Sequence, residues 1–244
     1  MSFLIAEWRK LAIANYIVDK TVLNKYVPAG TELDLWEGHC FVSLVGFMFK
    51  NTKLLGVKVP YHINFEEVNL RFYVKRYDKG EWKRGVVFVK EIVPKRALTF
   101  VANTVYNENY ETMPMSHNWS KTESKRTVEY KWEKSGIENF IKIQSSTDMF
   151  EINPNSETEF ITEHYWGYAK VNEHKSNEYE VTHPKWMVYQ VENHEIKVDF
   201  GLVYGNEFEF MNSLTPTSVM LAEGSEITVE NKKTIKTVTE TMPF

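Results

Sequence analysis

The run from His39 to Phe49 constrains this chain more than any other segment, because apart from Ser43 and Gly46 almost every residue in it is apolar. A strand with one wet face alternates; a run without a polar face reads as a strand buried on both sides. It is expected at the centre of a sheet covered on each face. The next run, Glu66 to Lys75, does alternate. Val68, Leu70, Phe72 and Val74 share one face, and Glu67, Asn69, Arg71 and Tyr73 share the other. That polar face either meets water or lines a wet cavity.

Around these strands the turn and cap signals set the rest. Asp78-Lys79-Gly80 joins Glu66–Lys75 to a β-branched strand over Gly85–Val93, giving a hairpin. Pro94 opens a helix to about Tyr106, with Ala97, Leu98, Val101, Ala102 and Val105 at helical spacing. Leu4, Trp8, Leu11 and Ala12 at i, i+4, i+7 and i+8 predict an N-terminal helix, and Asp19 can cap a short second one that stops at Val27-Pro28-Ala29-Gly30. Further strands are expected near Thr127–Trp132, Asn139–Gln144, Trp166–Val171, Glu178–Val191, His194–Leu202 and Glu226–Glu230, and Ser156 to Glu159 offers a capping box. Strands dominate and no βαβ repeat occurs. The fold class is therefore α+β, β-rich, with a largely antiparallel curved sheet or barrel and a few outer helices.

At 244 residues, with no Gly/Ser-rich linker, residues 1–244 are expected to form a single domain. A net charge of −4 with scattered lysines and arginines gives no field for phosphates, so nucleic acid is not an expected partner. Cys40, the only cysteine, lies in the apolar run, which excludes an intramolecular disulfide and fits a reducing cytoplasm. The N-terminal stretch is broken by Glu7, Arg9 and Lys10, so neither a secretion signal nor membrane insertion is expected. The seven histidines show no metal-binding spacing, and no glycine loop for phosphates or nucleophile elbow occurs. No cofactor and no metal are indicated. Phe, Trp and Tyr make up 14% of the chain, enough for a large core or an aromatic-lined cavity.

One ordered series of motifs resembles a known family. It comprises Tyr26-Val27-Pro28-Ala29-Gly30-Thr31-Glu32-Leu33-Asp34, the strand Phe41–Phe49, the stretch His62–Val74 with Phe65-Glu66-Glu67-Val68-Asn69-Leu70-Arg71, Arg84-Gly85-Val86-Val87-Phe88, and the Pro94 helix. These are similar to the uncharacterised YqjF-like family of the acetoacetate decarboxylase-like superfamily. The resemblance implies a cone-shaped β-barrel enclosing a pocket, and it brings an expectation of a homo-oligomer. It also implies a carboxylate on a pocket-lining strand, matched here by Glu67. The superfamily's imine-forming lysine follows the helix after the strand pair. The corresponding stretch here, Tyr106-Asn107-Glu108-Asn109-Tyr110-Glu111, has no lysine, and neither tyrosine nor carboxylate forms an imine.

The candidate ligand-binding residues are therefore Glu67, Asn69 and Arg71 on the polar face, with Tyr106, Asn107 and Tyr110 where the lysine would sit. Lys90, inside an apolar strand, is a remote substitute amine. The expected function is binding of a small anionic or partly apolar metabolite in a barrel pocket, with Arg71 clamping an acid group. The alternative is an enzyme using Glu67 as acid or base on a keto or enol acid.

Overall fold

The computed structural model describes residues 2–237; Met1 and residues 238–244 of the expected 1–244 domain lie outside them. The described strands are β1 (Leu4–Val18), β2 (Glu32–Leu33), β3 (Cys40–Leu54), β4 (Phe65–Asp78), β5 (Glu81–Val93), β6 (Tyr110–Thr112), β7 (Met115–Lys121), β8 (Lys125–Lys134), β9 (Ile137–Glu151), β10 (Trp166–Asn172), β11 (Lys175–Thr182), β12 (Met187–Lys197), β13 (Ser218–Val229) and β14 (Lys233–Lys236). Helices α1 (Arg96–Val105), α2 (Glu157–Thr162) and α3 (Phe200–Tyr204) join them, with 3-10 turns at Lys20–Leu23 and Asn206–Ser213.

All the strands belong to one sheet, ordered β14-β11-β10-β5-β4-β3-β1-β13-β12-β9-β8-β7 along its main path. A further pairing of β11 with β13, Val181 opposite Val229, closes seven of them into a ring. Strands β12, β9, β8 and β7 continue past the ring as a wing. This arrangement explains the doubly buried run. The inward side of β3, with Phe41, Val45, Phe47 and Phe49, packs inside the ring, and its outward side, with Val42, Leu44 and Met48, packs against Val128, Tyr130, Ile141 and Ile143 of the wing. Gly46 is where the layers touch most closely. A Cβ there would stand 2.8 Å from the Tyr130 ring, whose hydroxyl donates to the Lys10 carbonyl at 2.8 Å.

The expected N-terminal helix is instead strand β1. It pairs with β3 and β13, and its register with β3 slips between Arg9 and Ala12, where Lys10 takes φ +57°. Such a bulge shifts the alternation by one residue. Leu4, Ala6 and Trp8 are followed on the inward side by Leu11 and Ile13, so one strand face carries a three-residue step that imitates a helix. Two other expectations shift. Glu178–Val191 is broken at His183-Pro184, dividing β11 from β12, and His194–Leu202 ends at Lys197, after which Asp199 Oδ1 accepts from Leu202 N at 3.0 Å and starts α3. Asp19 and Ser156 both cap as their sequence context predicts.

Two junctions of the ring carry only two residue pairs each, β11–β13 and β5–β10. Strand β5 meets β10 in parallel only at Gly85 and Val86, and farther along, its free edge takes β6 at Glu91–Val93. The chain between α1 and β6 fills the gap, held by Asn109 Nδ2 donating to Val89 O (2.7 Å) and Asn107 Nδ2 donating to Lys170 O (3.0 Å).

Candidate functional site: the cavity inside the ring

Inside the ring, under one face of α1, lies a cavity of about 230 Å³. Its wall is mainly apolar, with Trp8, Phe47, Phe49, Phe65, Phe88 and Trp186 among the lining residues. The polar face of β4 belongs to this interior. Glu67 is 2% exposed, Asn69 1% and Arg71 7%, so the solvated-sheet alternative does not hold. The packing outside the ring forces this outcome: Val68, Leu70 and Phe72 on the far side of β4 share one core with the wing and with Phe200, Val203 and Phe208 of α3 and the turn after it, leaving the polar side to face the ring interior.

Glu67 is held by two donors, Asn69 Nδ2 on Oε1 (3.0 Å) and the Tyr110 hydroxyl on Oε2 (3.2 Å). Opposite Asn69 on the neighbouring strand stands Glu91, and the β5–β6 register sets Tyr110 beside Glu91. Glu91 reaches the interior through a bulge. Between the pairs Leu70–Lys90 and Arg71–Phe88 the register slips by one residue. Strict alternation from Val86 and Phe88 would have turned Lys90 inward; the extra residue turns Lys90 out and Glu91 in. Lys90 Nζ lies against Glu111 Oε2 (2.7 Å) and Val203 O (2.6 Å), away from the cavity.

Glu108 is the third carboxyl of the lining, itself partly exposed. It turns inward between the Asn107 and Asn109 clamps and accepts from the Tyr179 hydroxyl at 2.8 Å. Tyr179 lies flat over Gly167, where a Cβ would come within 2.1 Å of the ring. Tyr106 packs edge-on against Tyr179 with centroids 5.1 Å apart.

Burial pushes the Glu67 carboxyl up to about 7 and the Glu108 carboxyl up to about 8. Burial, reinforced by the charges of Glu108 and Glu67, holds Glu91 well above the ordinary carboxylate range. Burial thus favours the protonated form of all three carboxyls, and Arg71 is the cationic side chain of the polar wall. It makes no ion pair within 4.0 Å among the described residues. Its Nη2 has only a long bond to Ile161 O (3.4 Å), and its Nε has no partner. Nearby, His164 Nε2 meets Asp34 Oδ2 at 3.2 Å, and Arg84 Nε donates to the same oxygen at 2.6 Å. Burial pushes the His164 imidazole down to about 4. It is neutral at pH 7, and its Nδ1 has no partner.

Of the residues singled out from sequence, Glu67, Asn69, Arg71, Tyr106 and Tyr110 line the cavity. Asn107 does not. Its backbone is left-handed (φ +62°), and its side chain serves as the outward clamp on β10. Sequence reasoning missed Glu91, Glu108, Tyr179 and His164. Glu108 stands beside Asn107 in the stretch that replaces the lysine, but nothing local distinguishes its direction from that of its neighbour. No lysine is among the described lining residues, and no three His, Cys, Asp or Glu among the described residues are grouped to hold a metal ion.

Comparison with known proteins now places the chain. Residues 5–226 match the family described as an uncharacterized conserved protein, DUF2071. The chain belongs to that family. A curated relative, the uncharacterized protein YqjF of Bacillus subtilis, is 32% identical over 104 residues, which cover 42% of this chain and 41% of YqjF. The chain thus spans about two fifths of the length of the curated relative it matches.

Solved structures share the fold at much lower identity. The acetoacetate decarboxylase of Legionella pneumophila superposes with a TM-score of 0.64 at 11% identity, covering 95% of this chain and 86% of that one. An acetoacetate decarboxylase-like enzyme from Sphingomonas wittichii gives 0.65 at 9%, covering 98% and 95%. The enduracididine biosynthesis enzyme MppR complexed with pyruvate gives 0.63 at 10%, covering 96% and 91%. The DUF2071 chain is therefore a β-rich α+β protein with the acetoacetate decarboxylase-like fold. Among its described residues no helix is long and apolar enough to cross a membrane.

Proposed function

We propose that this protein binds a small molecule with an apolar body and an anionic head inside the ring, with the head seated on Arg71. The observation that carries the reading is Arg71 itself: a buried guanidinium in the wall of a largely apolar cavity, without an ion partner among the described residues. An uncompensated buried charge costs several kcal/mol, and an anionic ligand removes that cost. Glu67, Asn69, Tyr106 and Tyr110 complete the polar wall and hold the ligand's orientation. Binding proceeds without an imine. The cavity's described lining contains no lysine, and Lys90 is engaged by Glu111 and Val203 outside it. The protein works as one domain in a reducing cytoplasm, a reading supported by the single buried thiol of Cys40, which burial pushes up to about 11.

The test is thermal unfolding with an apolar monocarboxylate, para-toluate, at pH 6. The expected result is a rise in Tm that is absent from Arg71→Met. No shift from this or any acid in a broad metabolite panel, or a shift that survives in Arg71→Met, overturns the reading.

A second reading, acid–base chemistry on a keto or enol acid, is favoured by the Glu67 carboxyl lying near 7 beside the Tyr110 hydroxyl. It requires solvent deuterium to enter the α-carbon of a bound keto acid, and Glu67→Gln to abolish that exchange.

A further inference from the structure

The polar wall carries more than a seat for an acid. Apart from His164 Nδ1, its unpartnered atoms lie on β4 and β5 and divide into two places. On the rung where Asn69 faces Glu91, two buried oxygens able to accept have no hydrogen-bond partner, Asn69 Oδ1 and Glu91 Oε2. Two residues farther along β4 the unpartnered atom is a donor, Arg71 Nε. Trp8 Nε1 and Thr52 Oγ1 are the other unpartnered atoms of strand residues in the lining, away from this rung in sequence and on different strands. Buried polar atoms are nearly always paired in a completed structure. An acid head on Arg71 satisfies the donor and leaves both acceptors bare.

We infer that the ligand is bifunctional, carrying a protonated nitrogen (an ammonium or amidinium) that sits against Asn69 and Glu91 while its acid head occupies Arg71. This rests on the acid-binding reading given above and adds the chemistry of the ligand's other end. Strand geometry sets the span. Two residues of a strand cover about 7 Å, the separation of two substituents placed para on a benzene ring. The lining composition points the same way: three carboxyls, Glu67, Glu91 and Glu108, can each turn anionic beside a cation, against one arginine and no lysine among the described lining residues. The aromatic wall formed by Phe47, Phe65, Phe88 and Tyr110 suits a cation as well, since ring faces attract positive charge.

A cationic nitrogen in this place has a consequence that an acid alone does not have. Among the described residues, the groups around the rung are Glu67 and Arg71 on β4, Glu91 on β5, Glu108 and Tyr110 from the α1–β6 segment, Tyr179 on β11, and His164 after α2. Burial disfavours the charged form of these carboxyls and raises the pH at which each gives up its proton. A bound cation favours the carboxylate form, so binding expels a proton. Affinity for such a ligand rises with pH by up to tenfold per unit for each proton released. A plain acid behaves oppositely, because the carboxylates that appear above pH 7 repel it.

The experiment compares para-toluate, para-(hydroxymethyl)benzoate and para-(aminomethyl)benzoate by calorimetry between pH 6 and pH 8, in two buffers of different ionisation enthalpy. The amine-bearing acid is expected to bind at least tenfold more tightly than the other two at pH 8. Its affinity is expected to increase with pH and its binding to release about one proton, while para-toluate weakens over the same range. Glu91→Gln is expected to remove the advantage of the amine and keep para-toluate binding, which also reports that the variant is folded. Equal affinity of the hydroxymethyl and aminomethyl acids, or no proton release, overturns the inference and leaves the acid seat standing. Failure of all three acids at every pH overturns both.

Discussion

Replacing Glu67 by glutamine makes the protein more stable in mildly alkaline solution, and the gain follows from where the carboxyl is buried. In the unfolded chain this group titrates near 4.5; in the folded protein burial lifts it to about 7. Between those values the folded state keeps a proton that the unfolded state has lost. Stability therefore falls as pH rises through this window, by about 1.4 kcal/mol per unit. Below 4.5 the group contributes its full stability, and above 7 that contribution has gone. The accumulated loss is about 3 kcal/mol. The glutamine side chain of Glu67→Gln cannot ionise, and its amide keeps the shape, its oxygen accepting from Asn69 Nδ2 and its nitrogen donating to the Tyr110 hydroxyl in place of the bond Glu67 accepts there. Wild type and variant should thus coincide at pH 4 and separate progressively, until the variant leads by about 3 kcal/mol at pH 8. For a chain of this size that is on the order of 6 to 12 °C in Tm. Glu91 and Glu108 titrate in both proteins, so the quantity to follow is the difference between the two urea-unfolding curves measured from pH 4 to pH 8. A difference that is constant with pH, or a variant less stable than wild type at pH 8, would refute the reasoning.

Three further outcomes follow from named contacts. Gly167→Ala puts a methyl group into the Tyr179 ring, and should cost about 1–3 kcal/mol in urea unfolding, as overpacking does, while releasing the hydrogen bond to Glu108. Lys90 is bonded outward to Glu111 and Val203, so borohydride reduction in the presence of a keto acid should leave no adduct on its peptide by mass spectrometry. His164, pushed down to about 4 by burial, has the opposite linkage to Glu67. Its folded form refuses a proton that the unfolded form takes near 6.5, so stability is lost as pH falls from about 6.5 to 4. His164→Gln should flatten that acid limb of the stability curve.

Each of the two bulges misled sequence reasoning in its own way. In β1, the step from Trp8 to Leu11 follows from a register slip at Lys10, and in the sequence it has the spacing of a helix. In β5, the slip between Phe88 and Lys90 exchanges the directions of Lys90 and Glu91. A bulge is fixed by hydrogen bonding to a neighbouring strand, and that partner is distant along the chain, so local periodicity carries no trace of it. The Asp19 and Ser156 caps were legible because a cap is a contact between residues two or three apart.

What the sequence determined by itself is the pair of strands at the centre. The unbroken apolar run of β3 required cover on both sides, and the alternation in β4 separated Glu67, Asn69 and Arg71 from their apolar neighbours. These are short-range patterns that hold in any sheet able to bury them. Whether the polar stripe met water was decided only in three dimensions, by the wing and the α3 segment that share a core with the far side of β4 and by the β11–β13 pairing that closes the ring. Tertiary structure also added Glu91 through a bulge and Glu108 through two asparagine clamps. Both depend on strands brought together from distant parts of the chain, and that assembly turned a polar stripe into the wall of a cavity.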